Sequence, residues 1–531
     1  GDRLVMEANA DWWGAGGASR GEAAFDIVEI LFRPESAVRA AAIEAGEVDI
    51  AMWLTPEQCE SINNRAETRC EGRASPETIV IGMDQVDNPL LGDNRIRKAM
   101  ILALDRETMV DQFFDNQATI ATQMAGPGAF GWNPNLVAHP YDPDQARALV
   151  AEAKADGVPV DEVEIRILIL QEAWSRSDEF ALAFQQALLD VGLNVPELMI
   201  RERSTVQPWL AEKPPSGTRD DNGQAWSIVI PFGHGNEIFD YLGSMGHLRC
   251  ENAWSKVCYD DIDAATVAAG PLTGTDRQAA LYDIAELLHE KLYTIPVAHL
   301  DLSYGINNRI DWTIPLDHKI IAKHVSLAGA APAAPATTAA PSGDVSTLRI
   351  AVTEEPAGLD GWRTYKAESG PGMLNMVETL ISRDPDTNAL VGDLATGWEP
   401  VDELTWRFTL REGVTFHDGS PFNAEVAAFM INLNYSEENN YEPRLFMGPQ
   451  ISATEVDDFT IDIITAEPDP ILPARVYMAG ITSLKQILED PDSYSTHPIG
   501  SGPYKFVEWR RGDRLVMEAN PDWGGAGAAS R

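Results

Sequence analysis

Residues 512–531 read GDRLVMEANPDWGGAGAASR and residues 1–20 read GDRLVMEANADWWGAGGASR, one stretch written twice with changes only at Ala10/Pro521, Trp13/Gly524 and Gly17/Ala528. Two copies at opposite ends are not a solenoid, because stacked repeats need about three adjacent units to bury a shared core. The overlap reads instead as a joint, where the natural order runs from residue 531 into residue 21. Before the second copy, Tyr504–Trp509 has strand character, and a turn at Arg510–Asp513 leads into the copy as a second strand. One sheet offers one place for this strand, yet the chain supplies two. The C-terminal copy can pair locally with Tyr504–Trp509, so it is expected to fill the place, leaving Gly1–Ala10 displaced or paired with another molecule.

Outward from the joint the grammar is strand–helix–strand. Phe25–Phe32 alternates as a strand, and a helix with Val38, Ala42 and Ile43 on one face stops at Gly46, a usual C-cap. Ile50–Trp53 reads as a buried strand before a helix over Pro56–Asn63. Strands are expected at Thr78–Met83, Val163–Leu170, Trp226–Pro231 and Ile295–Tyr304. Between them lie helices capped by Asp93 and Asp105, a helix at Asp144–Ala155, one in SDEFALAFQQALLD and one at Arg277–Leu292. Composition then changes abruptly: Ala328–Asp344, AGAAPAAPATTAAPSGD, has almost no charge and nothing to build a core from, and reads as a semi-extended linker. Beyond it a strand begins at Thr347, followed by a helix near Met373–Leu380, the hairpin-like TWRFTLREGVTFHDGS, a helix at Asn423–Leu433 and the alternating TIDIITAE. The pattern is that of an α/β protein.

At 531 residues there is room for two or more domains, and 40 basic against 82 acidic residues give a formal charge of −42. So acidic a surface, with no basic patch, excludes nucleic acid as a partner. Four cysteines fall as two close pairs, Cys59 with Cys70 and Cys250 with Cys258, and short-loop disulfides of an exported protein are favoured over a zinc site, for which neither spacing nor histidine partners are suited. No apolar run approaches the length of a membrane span, and Gly1 opens on a strand-like stretch rather than a signal peptide, so any targeting peptide is expected to have been removed or never included. No Ser/His/Asp spacing or helical metal pair is present, and no cofactor or metal is expected. His417 and Asp418, in FHDG, read as a structural turn rather than as catalytic groups.

Five stretches carry a resemblance to a known family. LREGVTFHDGSPFNAE (410–425), GSGPYKFVEWRRGDRLVMEANPDW (500–523), DNRIRKAMILALDRETMV (93–110), FALAFQQALLDVGLNV (180–195) and GLD with VETL near residue 360 closely resemble the dipeptide/oligopeptide/nickel class of solute-binding proteins of ABC importers. Their order differs from the family's, in which residues 345–531 would precede 21–327. A circular permutant and a slice through two tandem binding proteins both fit, the differences between the repeats leaning towards the second.

The resemblance implies a two-lobed periplasmic-binding-protein fold, class II-like with an extra subdomain, its segments permuted. Lobe one would comprise 21–85, 293–327, 347–385 and 496–531, with 1–20 the duplicated strand; lobe two would be 86–292, the linker 328–346 and the subdomain 386–495. It implies a small-molecule or peptide ligand, an ABC permease in the membrane as partner, and a periplasmic or envelope-attached location. A monomer is expected, with a strand-swapped oligomer as the alternative. In peptide-binding relatives an aspartate after a lobe-two strand pairs with the ligand ammonium. Here that stretch is 231–237, with His234 in the aspartate's place, Asn236 beside it and Glu237 able to supply the charge. Phe232, Tyr241, Trp209, Trp226, Tyr365 and Trp362 are candidate cleft aromatics, and Tyr441 and Arg444 stand where relatives send a subdomain loop to the cleft. The departure at His234 keeps a non-peptide ligand, a sugar, an opine or a metal chelate, as the alternative.

Overall fold

The structure is a computed structural model that describes residues 3–8, 24–85, 87–115, 117–171, 174, 176–202, 205–206, 226–230, 236, 238–245, 248, 250, 257–329, 346–353, 355–356, 358–359, 373–436, 451–510 and 514–516. It divides into two compact units, one formed by Gly1–Arg73 with Leu302–Arg531 and the other by Ala74–Asp301. The changes of unit come at 73/74 and 301/302. Each falls inside one long strand, Thr68–Met83 or Thr294–Asn307, rather than at its end.

The main-sheet strands are numbered along the chain: β1 Arg3–Ala8, β2 Ile27–Phe32, β3 Ile50–Met52, β4 Thr68–Met83, β5 Ala118–Ile120, β6 Arg166–Leu170, β7 Glu197–Arg201, β8 Ile228–Ile230, β9 Thr294–Asn307, β10 Thr347–Val352, β11 Tyr504–Arg510 and β12 Arg514–Val516. In the first unit the order is β11-β12-β1-β2-β10-β3-β9. Strand β10, which follows the Ala/Pro tract, lies between two strands that precede it by some 300 residues. It runs parallel to β2, from Thr347↔Ile27 to Val352↔Phe32, and parallel to β3 through Ile350↔Ile50 and Ala351↔Ala51. Its alternation serves two cores: Leu348, Ile350 and Val352 join Val28, Ile30, Met52, Tyr304 and Trp312, while Ala351 joins Ile43, Leu54 and Ile62 on the opposite face. The halves on either side of the tract therefore make one sheet.

A buried carboxylate joins three chain segments there. Asp49, 3% exposed, accepts the backbone N–H of Arg349 at 2.9 Å and both Nε and Nη2 of Arg309 at 2.5 Å. Arg309 donates onward to the Thr347 carbonyl at 2.6 Å, and Arg349 Nε donates to Glu29 at 2.9 Å.

The duplicated strand departs from expectation. The N-terminal copy, β1, is seated: it pairs antiparallel with β2 from Leu4↔Ile30 to Glu7↔Ile27, and antiparallel with β11 from Val5↔Glu508 to Ala8↔Tyr504. The C-terminal copy contributes the three residues of β12. Sequence proximity was the reason for expecting the reverse, and it is a weak one, because the entropic cost of closing a loop grows only slowly with length.

Residues 395–465 carry a separate four-stranded antiparallel sheet in the order Ala395–Pro400, Thr405–Leu410, Thr460–Thr465, Ile451–Asp457. It packs on the helix Ala424–Asn434, whose N-cap Asn423 accepts from the Val426 N–H at 3.1 Å. Two of the quoted motifs interlock nearby: His417 donates its backbone N–H to the Gly500 carbonyl at 2.9 Å and its Nε2–H to the Gly502 carbonyl at 2.8 Å. A Cβ at Gly500 or Gly502 would run into the Met376 carbonyl, so both glycines are required by close backbone approach. His417 is thus structural. The helix expected at Met373–Leu380 is instead a turn followed by a short strand, Glu378–Thr379, because the buried Asn375 side chain holds the Ala322 N–H at 2.7 Å and the Gly502 and Tyr504 amides bond to this backbone.

In the second unit the strand order is β9-β4-β8-β6-β7, with β5 on β9. Strands β6, β7 and β8 are parallel, and β8 is antiparallel to β4. Helices Asn94–Leu102, Pro143–Ala155 and Ser177–Asp190 bury Ile96, Met100, Val150, Phe180 and Phe184 against it. Asp93 and Asp105 cap their helices as expected, accepting from the Arg95 N–H at 2.8 Å and the Thr108 N–H at 3.2 Å. Both expected disulfides are formed, Cys59–Cys70 with Cα atoms 5.1 Å apart and Cys250–Cys258 with 4.5 Å.

Two stability effects follow. Asp49→Ala leaves the Arg349 N–H without its acceptor and is expected to cost about 1–3 kcal/mol in chemical unfolding, the part from half-exposed Arg309 being discounted for screening. Burial holds the imidazoles of His299 and His324 down at about 4, with the Lys323 cation adding to the effect on His324, and holds that of His417 at about 3. Unfolded, each returns to about 6.5, so the folded state binds fewer protons between these values. The melting temperature should therefore hold above pH 6.5 and fall steadily as pH drops towards 4.

Candidate functional site

In sheets with parallel strands, ligands gather beyond the strands' carboxyl ends. In the second unit that edge is formed by Leu170 of β6 and Ile230 of β8, aligned by the pairing Ile169↔Ile230. The segment 231–237 leaves from it directly after Ile230. Strand β8 is fixed from both sides, by Gly82↔Val229 on β4 and Leu168↔Val229 on β6.

Around the far end of this segment the chain is tied down tightly. Asn236, 1% exposed, donates from Nδ2 to the Asp240 carbonyl at 2.9 Å and to Ser244 Oγ at 3.1 Å, and accepts the Asp240 N–H at 3.1 Å. Phe239 adopts φ 55°, with its N–H on the Asn236 carbonyl at 3.0 Å. Its own carbonyl accepts the Phe130 N–H at 2.9 Å, and Tyr241 N–H returns to the Phe130 carbonyl at 2.9 Å. Asp240 sends Oδ1 and Oδ2 to Arg277 Nη2 and Nε, at 2.8 and 2.9 Å, with the two side chains 4% and 3% exposed. Arg277 also donates to the carbonyls of Ala269, Gly270 and Leu272, at 3.2, 3.0 and 3.3 Å, at and just past the end of the helix Asp260–Ala269, where carbonyls lack intrahelical partners; that of Ala269 also accepts the Leu272 N–H at 3.2 Å. Removing one member of such a pair costs about 3–5 kcal/mol, because it strands a buried charge. The turn of Asn236 and Phe239–Tyr241 is held by a desolvated, bidentate Asp240–Arg277 pair.

These placements redistribute the expected roles. Asn236 has its amide fully committed to the turn, and Tyr241 is fully buried in a cluster with Met124, Met245 and Leu281, burial raising its phenol above the usual range. Both act as positioning residues for the loop. Trp226 is buried with Leu168, Leu170, Val206 and Val229, a core side chain rather than a stacking platform. Trp209, Phe232, His234, Glu237, Tyr365 and Tyr441 lie outside the described residues, as do Arg444 and Trp362. The structure therefore brings together the frame of the segment. Sequence reasoning missed Asp240 and Arg277. A signal existed: Arg277 sits in the first turn of the helix Gly274–Lys291, where a cation opposes the helix dipole and needs another reason to be there. Among the described residues no group of three or more His, Cys, Asp or Glu side chains could hold a metal ion, and no helix is long and apolar enough to cross a membrane.

With this geometry in hand the comparisons fall into place. The family of bacterial extracellular solute-binding proteins, family 5, matches residues 1–229 and 389–530, two blocks that flank the Ala/Pro tract. A Pseudomonas aeruginosa protein named "Probable di/tripeptide-binding protein 5" is 24% identical over 294 residues, covering 52% of this chain and 51% of that protein. A Brucella ovis protein named as an ABC transporter peptide-binding protein is 28% identical over 211 residues, 38% of this chain and 40% of its own. The chain thus spans about half or less of the length of these relatives. Among solved structures, the ABC transporter substrate-binding protein CtaP of Listeria monocytogenes superposes with a TM-score of 0.51 at 17% identity, covering 62% of this chain and 64% of that one, a likeness of fold. With a family match over more than half of its residues, the chain belongs to the bacterial extracellular solute-binding proteins, family 5.

Proposed function

We propose that the protein is the extracytoplasmic solute-binding component of an ABC importer, capturing a peptide-like solute between two closing lobes and delivering it to a membrane permease without chemical change. The observation that carries this reading is the segment 231–237, which leaves the carboxyl edge of parallel strands on a frame fixed by the Asp240–Arg277 pair, in a chain of this family. Glu237 supplies the carboxylate for a ligand ammonium, with Phe232, Trp209, Tyr365, Tyr441 and Arg444 as the surrounding contacts and Asn236 and Tyr241 holding the loop. Closure requires that ligand touch both lobes, since a ligand without differential affinity shifts no equilibrium. The lobes are drawn from the segments named above, in a permuted or tandem-slice order, and the protein acts as a monomer. Two disulfides support an oxidising, exported location. His234 favours one second reading, a non-peptide solute such as a sugar, an opine or a metal chelate held by an imidazole.

Thermal shift with a library of di- and tripeptides separates the two. At 100 Kd of free ligand a binding peptide adds about 2.7 kcal/mol, a clear rise in melting temperature. Glu237→Ala is expected to abolish the rise while His234→Ala leaves most of it. A protein that ignores every peptide yet is stabilised by chelates or sugars, with the effect lost in His234→Ala, would establish the second reading instead.

A further inference from the structure

Nine residues, GDRLVMEAN, stand at 1–9 and again unchanged at 512–520. The two copies meet in the first unit's sheet in a specific way. Val5 and Val516, equivalent members of the two copies, are both paired with the same residue, Glu508 of β11. They also lie side by side in parallel with equivalent residues aligned, Arg3 beside Arg514 and Leu4 beside Leu515. At Glu508 the N-terminal copy therefore meets the register that the C-terminal copy uses on β11. Past Val5 it shifts by one, to Met6↔Phe506, as it continues against β2.

We propose that the position between β2 and β11 is a segment-binding site with two resident ligands on one chain, and that the C-terminal copy exchanges with β1 for it within a single molecule. The two copies are identical over these nine residues, so sequence cannot decide between them. What differs is the tether: β1 is linked to β2 by residues 9–26, the C-terminal copy to β11 by residues 511–513. Loop-closure entropy depends only logarithmically on such lengths, so neither tether excludes the other arrangement. The exchange keeps the pairing of Val516 with Glu508 and, where the incoming copy continues against β2, takes up the one-residue shift that β1 shows past Val5. Each copy left out is a strand whose backbone donors and acceptors lack the second partner strand that the slot provides.

The test is a disulfide trap in the full chain. Glu29 of β2 is the register partner of Val5, so V5C/E29C reports the N-terminal copy in the slot and V516C/E29C the C-terminal one. Both variants lose the Glu29–Arg349 contact equally. Peptide mapping of the oxidised monomer should find both bonds within one molecule, V516C/E29C closing at a rate within about tenfold of V5C/E29C. Closure of V5C/E29C alone, or a V516C–E29C bond formed only between molecules, would overturn the proposal. Should the cysteine variants fold poorly, deletions decide: loss of residues 1–20 or of 512–531 alone should lower the melting temperature by no more than about 3 °C, and loss of both by well beyond the sum. A full loss on deleting 1–20 alone would show that the second copy cannot take the slot.

Discussion

Everything in the first unit depends on β10 lying between β2 and β3. A strand paired in parallel on both sides cannot be reached by a tight turn, so the chain must arrive from a distance, and here it arrives across an uncharged Ala/Pro tract. Such a strand is expected to be largely apolar, and in TLRIAV only Thr347 and Arg349 are polar, both half-buried, while Leu348 and Ile350–Val352 are buried. The buried Asp49 then fixes the arrangement electrostatically, since its carboxylate is shared between Arg309 from one segment and the Arg349 amide from another. Without β10 the early strands would face a gap, and without β2 and β3 the second half would have no sheet to enter.

The second unit applies the same logic to a loop. Its parallel strands β6 and β8 end at one edge, and the tied turn around Asn236 and Phe239–Tyr241 follows β8 closely in sequence. That turn is pinned by a desolvated Asp240–Arg277 pair and by the committed amide of Asn236. Desolvating a pair is worthwhile only with every donor used, and Arg277 spends its remaining donors on helix-end carbonyls.

Much of this was legible in the residues because it is local. Alternation over Phe25–Phe32, the caps at Asp93 and Asp105, the stop at Gly46 and the paired cysteines each depend on neighbours a few positions away, and the structure reproduces them. What was not legible depends on distant partners. Met373–Leu380 has helical composition, but Asn375 and the backbone at Met376 are claimed by residues near 320 and 502. Two copies of one strand give no residue by which to choose between them. Asn236 and Tyr241 have the chemistry of ligand contacts, and only their burial shows that they support the loop. Asp240 and Arg277 gave no periodic signal, because an ion pair across 37 residues has none.

The central claim is that the halves flanking the tract form one fold through β10. A protease site engineered into 330–345 tests it directly. After complete cleavage the account predicts that both fragments co-elute at the mass of the uncut protein and that the β10 amides, Thr347–Val352, remain among the most slowly exchanging with deuterium. Fragments that separate on gel filtration while each stays folded would contradict it.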